Sequence, residues 1–419
     1  MTKKLDEQFV SIIHPVCCGL DIHKKKISAC LITVDPFGNE DFEIREFGAF
    51  TNDLLSLKDW LLENDCPIVA MESTGVYWRP VHNVLEGLME IVLVNARHIK
   101  NVPGRKTDIS DSKWLAGLLR HGLVKGSFIP KKEVRQWREL TRLRRTYTES
   151  LGDYKRRVHK LFETANIKID SVVSDLFGVT GRNLIHQLCN KESQLTLEAI
   201  KQCAKGSLKS KVEELHQSIQ GFFEEHHRFQ LTVMMETIAV FESYISEISE
   251  RLKNLTAPYQ DILDRLDEIP GIDKVAAQSI VSEIGVDLDE FICAAALASW
   301  AGLCPGNNES AGKRKSGTTS VHRHPFKTIL IEVAWAAVKK KDSYYRDKYY
   351  RLRSRLGSKK AIVAIAHRIS KAIYHIIKFG ASYKELGEEY LAMKNKNQKL
   401  YNLNKQAKQL GYNLVPCTE

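Results

Sequence analysis

Near residue 130 the period of the apolar residues changes, and no other feature constrains the fold as much. Before it, short apolar runs alternate with helical patterns. Residues 16–21 (VCCGLD) and 26–34 (KISACLITV) are expected to be strands, Pro36-Phe37-Gly38-Asn39 a turn, and 42–47 a third, alternating strand. From Asn52, the residues Leu54, Leu55, Leu57, Leu61 and Leu62 share a helical face. Residues 67–71 form a buried strand running into Glu72. A short helix over 81–88, a strand over 91–95 and a helix over 108–121 follow. Hairpin-like strands followed by β-α units predict a mixed α/β sheet covered by helices.

After residue 130 the pattern is helical. Leu140, Leu143, Tyr147, Leu151, Tyr154, Val158 and Leu161 follow 3/4 spacing, and 166–208 breaks into helical pieces at Gly178, Gly181 and Gly206. Leu231, Met234, Ile238, Phe241, Ile245, Ile248, Leu252 and Leu255 then recur as 3-4-3-4-3-4-3. That heptad seam predicts a coiled coil, pairing helices within or between subunits, and hence oligomerisation; an ordinary core helix is the alternative. A third helical unit begins near Pro258, with a Gly- and Ser-rich interruption over 302–320. A polar tail follows Gly380, as a peripheral helix or a disordered end. The expected organisation is therefore multidomain α/β plus α: an α/β domain over 1–128, a coiled-coil or helical region over 129–257, a mostly helical domain over 258–382 and a tail over 383–419.

Charge narrows the function. The 419 residues carry 62 Lys and Arg against 51 Asp and Glu, a net +11, and the excess is concentrated. Residues 313–378 hold 18 basic residues against Glu332, Asp342 and Asp347, so this stretch alone is +15. Residues 131–165 hold 11 against five acids. Basic stretches interleaved with Trp335, Tyr344, Tyr345, Tyr349 and Tyr350 suit a nucleic-acid backbone, DNA or RNA. Candidate contacts are Arg105, Lys106, Arg142, Arg145, Lys313, Arg314, Lys315, Arg323 and Lys327. No apolar run reaches the ~18–20 residues of a membrane span. Asp6, Glu7 and Gln8 interrupt any signal-peptide layout. Nine scattered cysteines without a C-x-x-C pair argue against a disulfide framework or a zinc site and fit a reducing, cytoplasmic setting.

Four carboxylates stand where chemistry is plausible. Asp21 and Glu72 end strands of one sheet, and Asp108 and Asp111 are i, i+3 at the start of a helix. Around one pocket they would repel unless a hard cation neutralised them, and oxygen-only ligation suits Mg²⁺, which supports phosphoryl transfer. The plain alternative is that Asp108 caps its helix and Asp111 faces water. Two further elements have the composition to meet a phosphate, each with a plain alternative. Ile269-Pro270-Gly271-Ile272-Asp273 looks like a helix-hairpin-helix turn able to offer backbone N–H groups to a phosphate, or a simple inter-helix turn. The segment Ala301–Gly317 (AGLCPGNNESAGKRKSG) places serines amid Gly, Ala and Lys. Such a hydroxyl can approach and attack a phosphate, or serve only as a helix cap in a mobile loop.

Taken together, GLDIHKKK, VAMESTGVYW and GRKTDISDSKWLA in the first half, with EIPGIDKVAAQSIVSEIG and AGLCPGNNESAGKRKSG in the second, resemble the DEDD transposases of the insertion-sequence 110 family, also called bridge recombinases. The resemblance covers about residues 13–125 and 262–380. It implies a RuvC-like, RNase H-like N-terminal domain with Asp21, Glu72, Asp108 and Asp111 as a Mg²⁺-binding tetrad. It further implies a C-terminal transposase domain with a catalytic serine, placed on Ser310 by the S-x-G-K segment, with Ser316 and then Ser320 behind it. The serine would form a transient phosphoserine bond with DNA in a site shared between subunits of a dimer or tetramer. A structured RNA from the element would pair with donor and target DNA. The long middle region and the tail depart from shorter members. Rival readings are a RuvC-type junction resolvase without a covalent serine step, an actin-like or sugar kinase, which would need a second phosphate loop, and a non-catalytic relative.

Overall fold

The computed structural model describes residues 12–35, 39–73, 75–95, 111–192, 195–306, 308–310, 313–316, 318–319, 324–387 and 389–415. The chain divides into two compact units, Met1–Ile129 and Pro130–Glu419.

The first unit is built on a five-stranded sheet of order β3-β2-β1-β4-β5. The strands are β1 (Val16–Ile22), β2 (Lys26–Val34), β3 (Glu40–Gly48), β4 (Ile68–Glu72) and β5 (Glu90–Val94). β1, β2 and β3 form an antiparallel meander; β4 and β5 extend the sheet in parallel from β1. β3 is an exposed edge strand rich in charge, which blocks further strand pairing.

Alternation sorts the strand residues onto two faces. Leu20, Ile22, Ile27, Ala29, Leu31, Val69 and Met71 pack against α1 (Thr51–Glu63) and α2 (Trp78–Leu85), whose Leu54, Leu57, Leu61, Val81 and Leu85 complete that core. Asp53 closes the first turn of α1, accepting the Phe50 N–H at 3.1 Å. Cys17, Cys30, Ile32, Ile68 and Ala70 face the other way, against Leu115, Ala116, Leu118 and Leu119 of α3 (Asp111–Arg120). Gly19 lies on this second face, and only a residue without Cβ fits: a Cβ there would stand 2.2 Å from the Ser112 carbonyl oxygen and 2.5 Å from the Ala116 nitrogen. α3 is thereby seated directly on β1.

The second unit begins with two long helices, α4 (Lys132–Thr164) and, after four short ones, α9 (Glu225–Thr256). They pack antiparallel. Val134 and Trp137 share a core with Ile248 and Leu252, Tyr147 and Tyr154 meet Phe241 at 5.7 and 5.8 Å, and Val158 and Leu161 join Leu231 and Ile238. The predicted seam is therefore filled by α4 of the same chain, the within-chain form of the expected pairing. The 166–208 segment is packed into the core of this unit. Its helices α5 (Ile169–Val172), α6 (Val179–Cys189) and α7 (Leu197–Cys203), with α8 (Val212–Ser218), bury Ile169, Leu184, Leu188, Ile200 and Leu215 against the ends of the long pair.

The rest is helical: α10 (Gln260–Asp267), α11 (Lys274–Ile284), α12 (Ala294–Trp300), α13 (Pro325–Ala337), α14 (Tyr344–Leu356), α15 (Ser358–Phe379) and α16 (Tyr390–Gln409). Between α12 and α13 lies a small ladder, β6 (Asn308–Ser310) with β7 (Lys313–Ser316). The α10–α11 turn is folded inward: Gly271, at φ +88°, approaches α13 so closely that a Cβ would lie 2.4 Å from the Val333 oxygen. Asp273 caps α11, accepting the Ala276 N–H at 2.7 Å. That capping carboxylate and the packed glycine fit an inter-helix turn better than an open phosphate cradle. The tail forms a helix, α16. No helix among the described residues is long and apolar enough to cross a membrane.

Candidate active site and nucleic-acid interface

Strand parity and register set two of the four predicted carboxylates side by side, and the start of α3 places a third at the same end of the sheet. Gly19 and Asp21 share the α3 face of β1, as Ala70 and Glu72 share the same face of β4. The parallel register pairs Gly19 with Ala70 and Leu20 with Met71, so the next step sets Asp21 beside Glu72 at the strands' C-terminal ends. On its other side Asp21 is in register with Ser28, whose hydroxyl lies 3.2 Å from that of Ser112 in the first turn of α3. With Gly19 pressed against the Ser112 carbonyl, this fixes the start of α3, and hence Asp111, at the same end of the sheet. Asp108 lies outside the described residues.

The Asp21 side chain is 27% exposed, and its Oδ2 stands 3.1 Å from Nε2 of His23. The donor set is all oxygen apart from this one imidazole, which fits a hard divalent cation. The three carboxylates are spread more widely than the one trio of donor groups found within 4.8 Å of each other among the described residues, Glu224, His226 and His227. In that trio the Nδ1 of His227 already accepts the Glu224 N–H at 3.1 Å, as the cap of α9. His23 and Ser112 were missed from sequence. His23 was open to inference, since it follows Asp21 by two residues, the spacing that returns a strand side chain to the same face.

The serine segment is a β-hairpin rather than an irregular loop. Ser310 ends β6 and pairs with Lys313, Glu309 pairs with Arg314, and Asn308 pairs with Ser316 across a register shift. A bridge between Pro305 and Thr319 closes the base, where the Gly306 N–H donates to the Thr318 oxygen at 3.0 Å. Ser310 thus sits at the turn end and Ser316 at the base, about 10 Å apart along β7 at ~3.3 Å per residue, so the two are not interchangeable. Ser320 lies outside the described residues. Lys313, Arg314 and Lys315 form most of β7. Lys327 of α13 donates to the Thr319 hydroxyl at 3.3 Å, and burial holds its ammonium below the usual lysine range.

Two predicted phosphate contacts are engaged elsewhere. Arg142 makes a two-pronged pair with Glu283 of α11, at 2.8 and 2.9 Å, and Arg145 pairs with Glu332 of α13 at 2.6 Å and with Glu149 at 2.9 Å. Glu283 is 2% exposed and also receives Arg138, which donates to the carbonyls of Ser282 and Glu283 as well. These arginines fasten α4 to the C-terminal helices. Arg105, Lys106 and Arg323 lie outside the described residues.

Comparison with known families agrees with this arrangement. Residues 18–167 match the family model of the IS110-type DEDD transposase, and residues 263–351 match that of the transposase IS116/IS110/IS902 family. The first match spans Asp21 to Asp111 and the second spans the serine hairpin. No curated protein matches the chain. Domains of the DEDD type are typically metal-dependent, and a transposase has DNA as its partner. With both halves of the family present in order, this chain belongs to the IS110-family DEDD transposases and is a DNA transposase enzyme.

Proposed function

We propose that the protein cuts and rejoins DNA strands for its own insertion sequence by serine attack assisted by a carboxylate-held Mg²⁺. The observation that carries this reading is the convergence of Asp21, Glu72 and Asp111 at one end of the sheet. Asp21, Glu72, Asp108 and Asp111 would hold the ion, and a bound Mg²⁺ would polarise the scissile phosphate and stabilise negative oxygen. Ser310 would supply the nucleophile. Its Oγ gives its proton to a basic group or water and forms an ester to phosphorus as the scissile P–O bond breaks, and the leaving oxygen takes up a proton. Attack by a DNA hydroxyl on the same phosphorus reverses these steps, joins the new strand and frees Ser310. One phosphoester replaces another at each stage, so no nucleotide cofactor is consumed.

Lys313, Arg314, Lys315, Arg323, Lys327, Arg105 and Lys106 would contact nucleic-acid backbone, with salt-sensitive affinity. A structured RNA from the element would choose the sequences by base pairing, while the protein reads backbone and shape. We further propose that the roles divide over 1–128, 129–257 (the coiled-coil or helical region), 258–382 and 383–419, and that the enzyme acts as a cytoplasmic homo-oligomer. The outer stripe of α9 supports that last point: Phe229, Val233, Val240 and Tyr244 are 69, 44, 48 and 46% exposed.

The test is covalent trapping. Protein, element-end DNA, the flanking RNA and Mg²⁺ are incubated and denatured, and peptides are searched for a phosphoester. An adduct on Ser310, lost in Ser310→Ala and in Asp21→Asn, is the expected result. Cleavage without any adduct would assign the protein to metal-dependent resolvase chemistry instead.

A further inference from the structure

The C-terminal helix α16 is not absorbed by this chemistry. It carries five lysines (Lys394, Lys396, Lys399, Lys405 and Lys408), seven Asn and Gln side chains and no acid. Along it only Leu391 is buried, with the Tyr390 ring 5.9 Å from that of Tyr344, so the helix is held at its first turn and exposed beyond it. A polar helix of this length standing free is marginal in water. Without acids it gains no i, i+4 ion pairs, and its five ammonium groups repel one another.

Its neighbours add to the charge. α14 contributes Arg346, Lys348, Arg351, Arg353 and Arg355 against Asp347, and Arg351 shares that acid at 2.8 Å. Burial holds the Lys348 ammonium below the usual lysine range, and the nearby cations Arg368, Arg351 and Lys394 push it the same way. Between α14 and α16 runs an open cleft of about 570 Å³, lined by Arg351, Lys396, Lys399 and the carboxamides of Asn395, Gln398 and Asn402. Cations with carboxamides, and no carboxylate among the lining residues, suit a polymer that presents phosphates beside base edges.

The element offered is a helix, and that decides which polymer. Twenty residues span about 30 Å with a diameter of about 10–12 Å, which the major groove of B-DNA, about 12 Å wide, admits. The major groove of A-form RNA is too deep and narrow to be read by side chains. Asn and Gln make two-pronged contacts with adenine edges in the DNA groove.

We propose that α16, with α14 beside it across the open cleft, is a second DNA-binding element that lies along double-stranded DNA, its lysines on the phosphates and its carboxamides toward the bases. This rests on the DNA-recombinase reading and adds a surface to it.

The test uses the full-length protein with Lys394→Gln, Lys396→Gln, Lys399→Gln, Lys405→Gln and Lys408→Gln combined, and a matching Lys→Arg set that keeps the charge. Binding to fluorescent 30-base-pair DNA and RNA duplexes is measured by anisotropy across a salt series, with strand cleavage of element-end DNA scored on the same preparations. If three lysines touch phosphates, the Gln set lowers the slope of log K against log salt by about 2.7 on DNA and weakens binding at least about tenfold. The Arg set restores both, and RNA binding changes little. A larger loss on RNA than on DNA overturns the assignment to DNA. Unchanged binding to both overturns the site and leaves α16, with Met393, Leu400 and Leu403 exposed, as a surface for protein. A Gln set that shows the DNA effect beside a wild-type protein that does not cleave keeps this site and fails the recombinase reading. Cleavage with a Gln set that binds normally does the reverse.

Discussion

Gly19→Ala tests the link between packing and chemistry most directly. A Cβ at this position would stand 2.2 Å from the Ser112 carbonyl oxygen and 2.5 Å from the Ala116 nitrogen, against an ordinary contact of 3.4 Å or more. Both neighbours are backbone, so no side chain can turn aside. α3 must retreat by roughly 1 Å, and Ser112 leaves Ser28, now 3.2 Å away, taking Asp111 with it. Overpacking of this kind costs about 1–3 kcal/mol, which lowers the melting temperature by about 4–12 °C at ~4 °C per kcal/mol. A misplacement of about 1 Å in a catalytic group costs on the order of 100-fold in rate. Thermal unfolding and metal-dependent strand cleavage are measured together, with Gly117→Ala as the control. Gly117 lies on the same helix with no atom near its Cβ position, so alanine there should stabilise by up to about 1 kcal/mol. If Gly19→Ala melts and cleaves like the wild type, α3 is not seated on β1 and the argument for Asp111 fails.

The buried carboxylate makes a second case. Glu283→Ala should cost about 3–5 kcal/mol in urea unfolding, because Arg138 and Arg142 lose their shared partner. Arg142→Ala should cost less, since that side chain is 42% exposed and Glu283 keeps Arg138; the reverse order would contradict the assignment. Burial, helped by the neighbouring thiol Cys66 in the case of Cys17, pushes Cys17 up to about 12, and burial pushes Cys30 and Cys66 to about 11. Iodoacetamide at pH 8 should therefore label the exposed Cys293 well before them, as peptide mass spectrometry would report. Because the thiols ionise near 9 once unfolded, the stability they contribute is complete below pH 9 and falls as pH rises from there through 11–12. A melting temperature that rises over that range would have the wrong sign.

The placement of Asp21 and Glu72 is legible from sequence because both stand at strand ends. Residues 16–21 were expected as a strand and form β1 with one residue more, and Glu72 ends β4 as anticipated. Parity then does the rest: Leu20 and Met71 point to one layer, so Asp21 and Glu72 point to the other. The hairpin at Ser310 was not legible. Strands of three and four polar residues have no apolar period, and only the ladder between Ser310 and Lys313 reveals them. The heptad seam was visible as a seam, but its spacing says nothing about the partner. The partner proved to be α4 of the same chain, whose own 3/4 pattern of Tyr147, Tyr154 and Val158 had been visible all along.

Part of the basic run on α4 is engaged within the fold. Arg138, Arg142 and Arg145 recur at i, i+4 and i+7, so they share one face of α4. Their acceptors, Glu283 and Glu332, lie 141 or more residues further along the chain, and no count over 131–165 could include them. Four basic residues of α4, Arg138, Arg142, Arg144 and Arg145, are thus engaged in holding α11 and α13. The same pairing removes Glu332 as a neutralising charge within the second run, where 339–378 then holds just Asp342 and Asp347. Among the described helices, α14 sets its five cations against Asp347 alone and α16 carries no acid. Replacing Glu332 with Gln should loosen α4 from α13, leave Arg145 with Glu149 as its one acidic partner and raise non-specific DNA affinity modestly. A fall in affinity would show that Arg145 is withheld from DNA by something other than this pair.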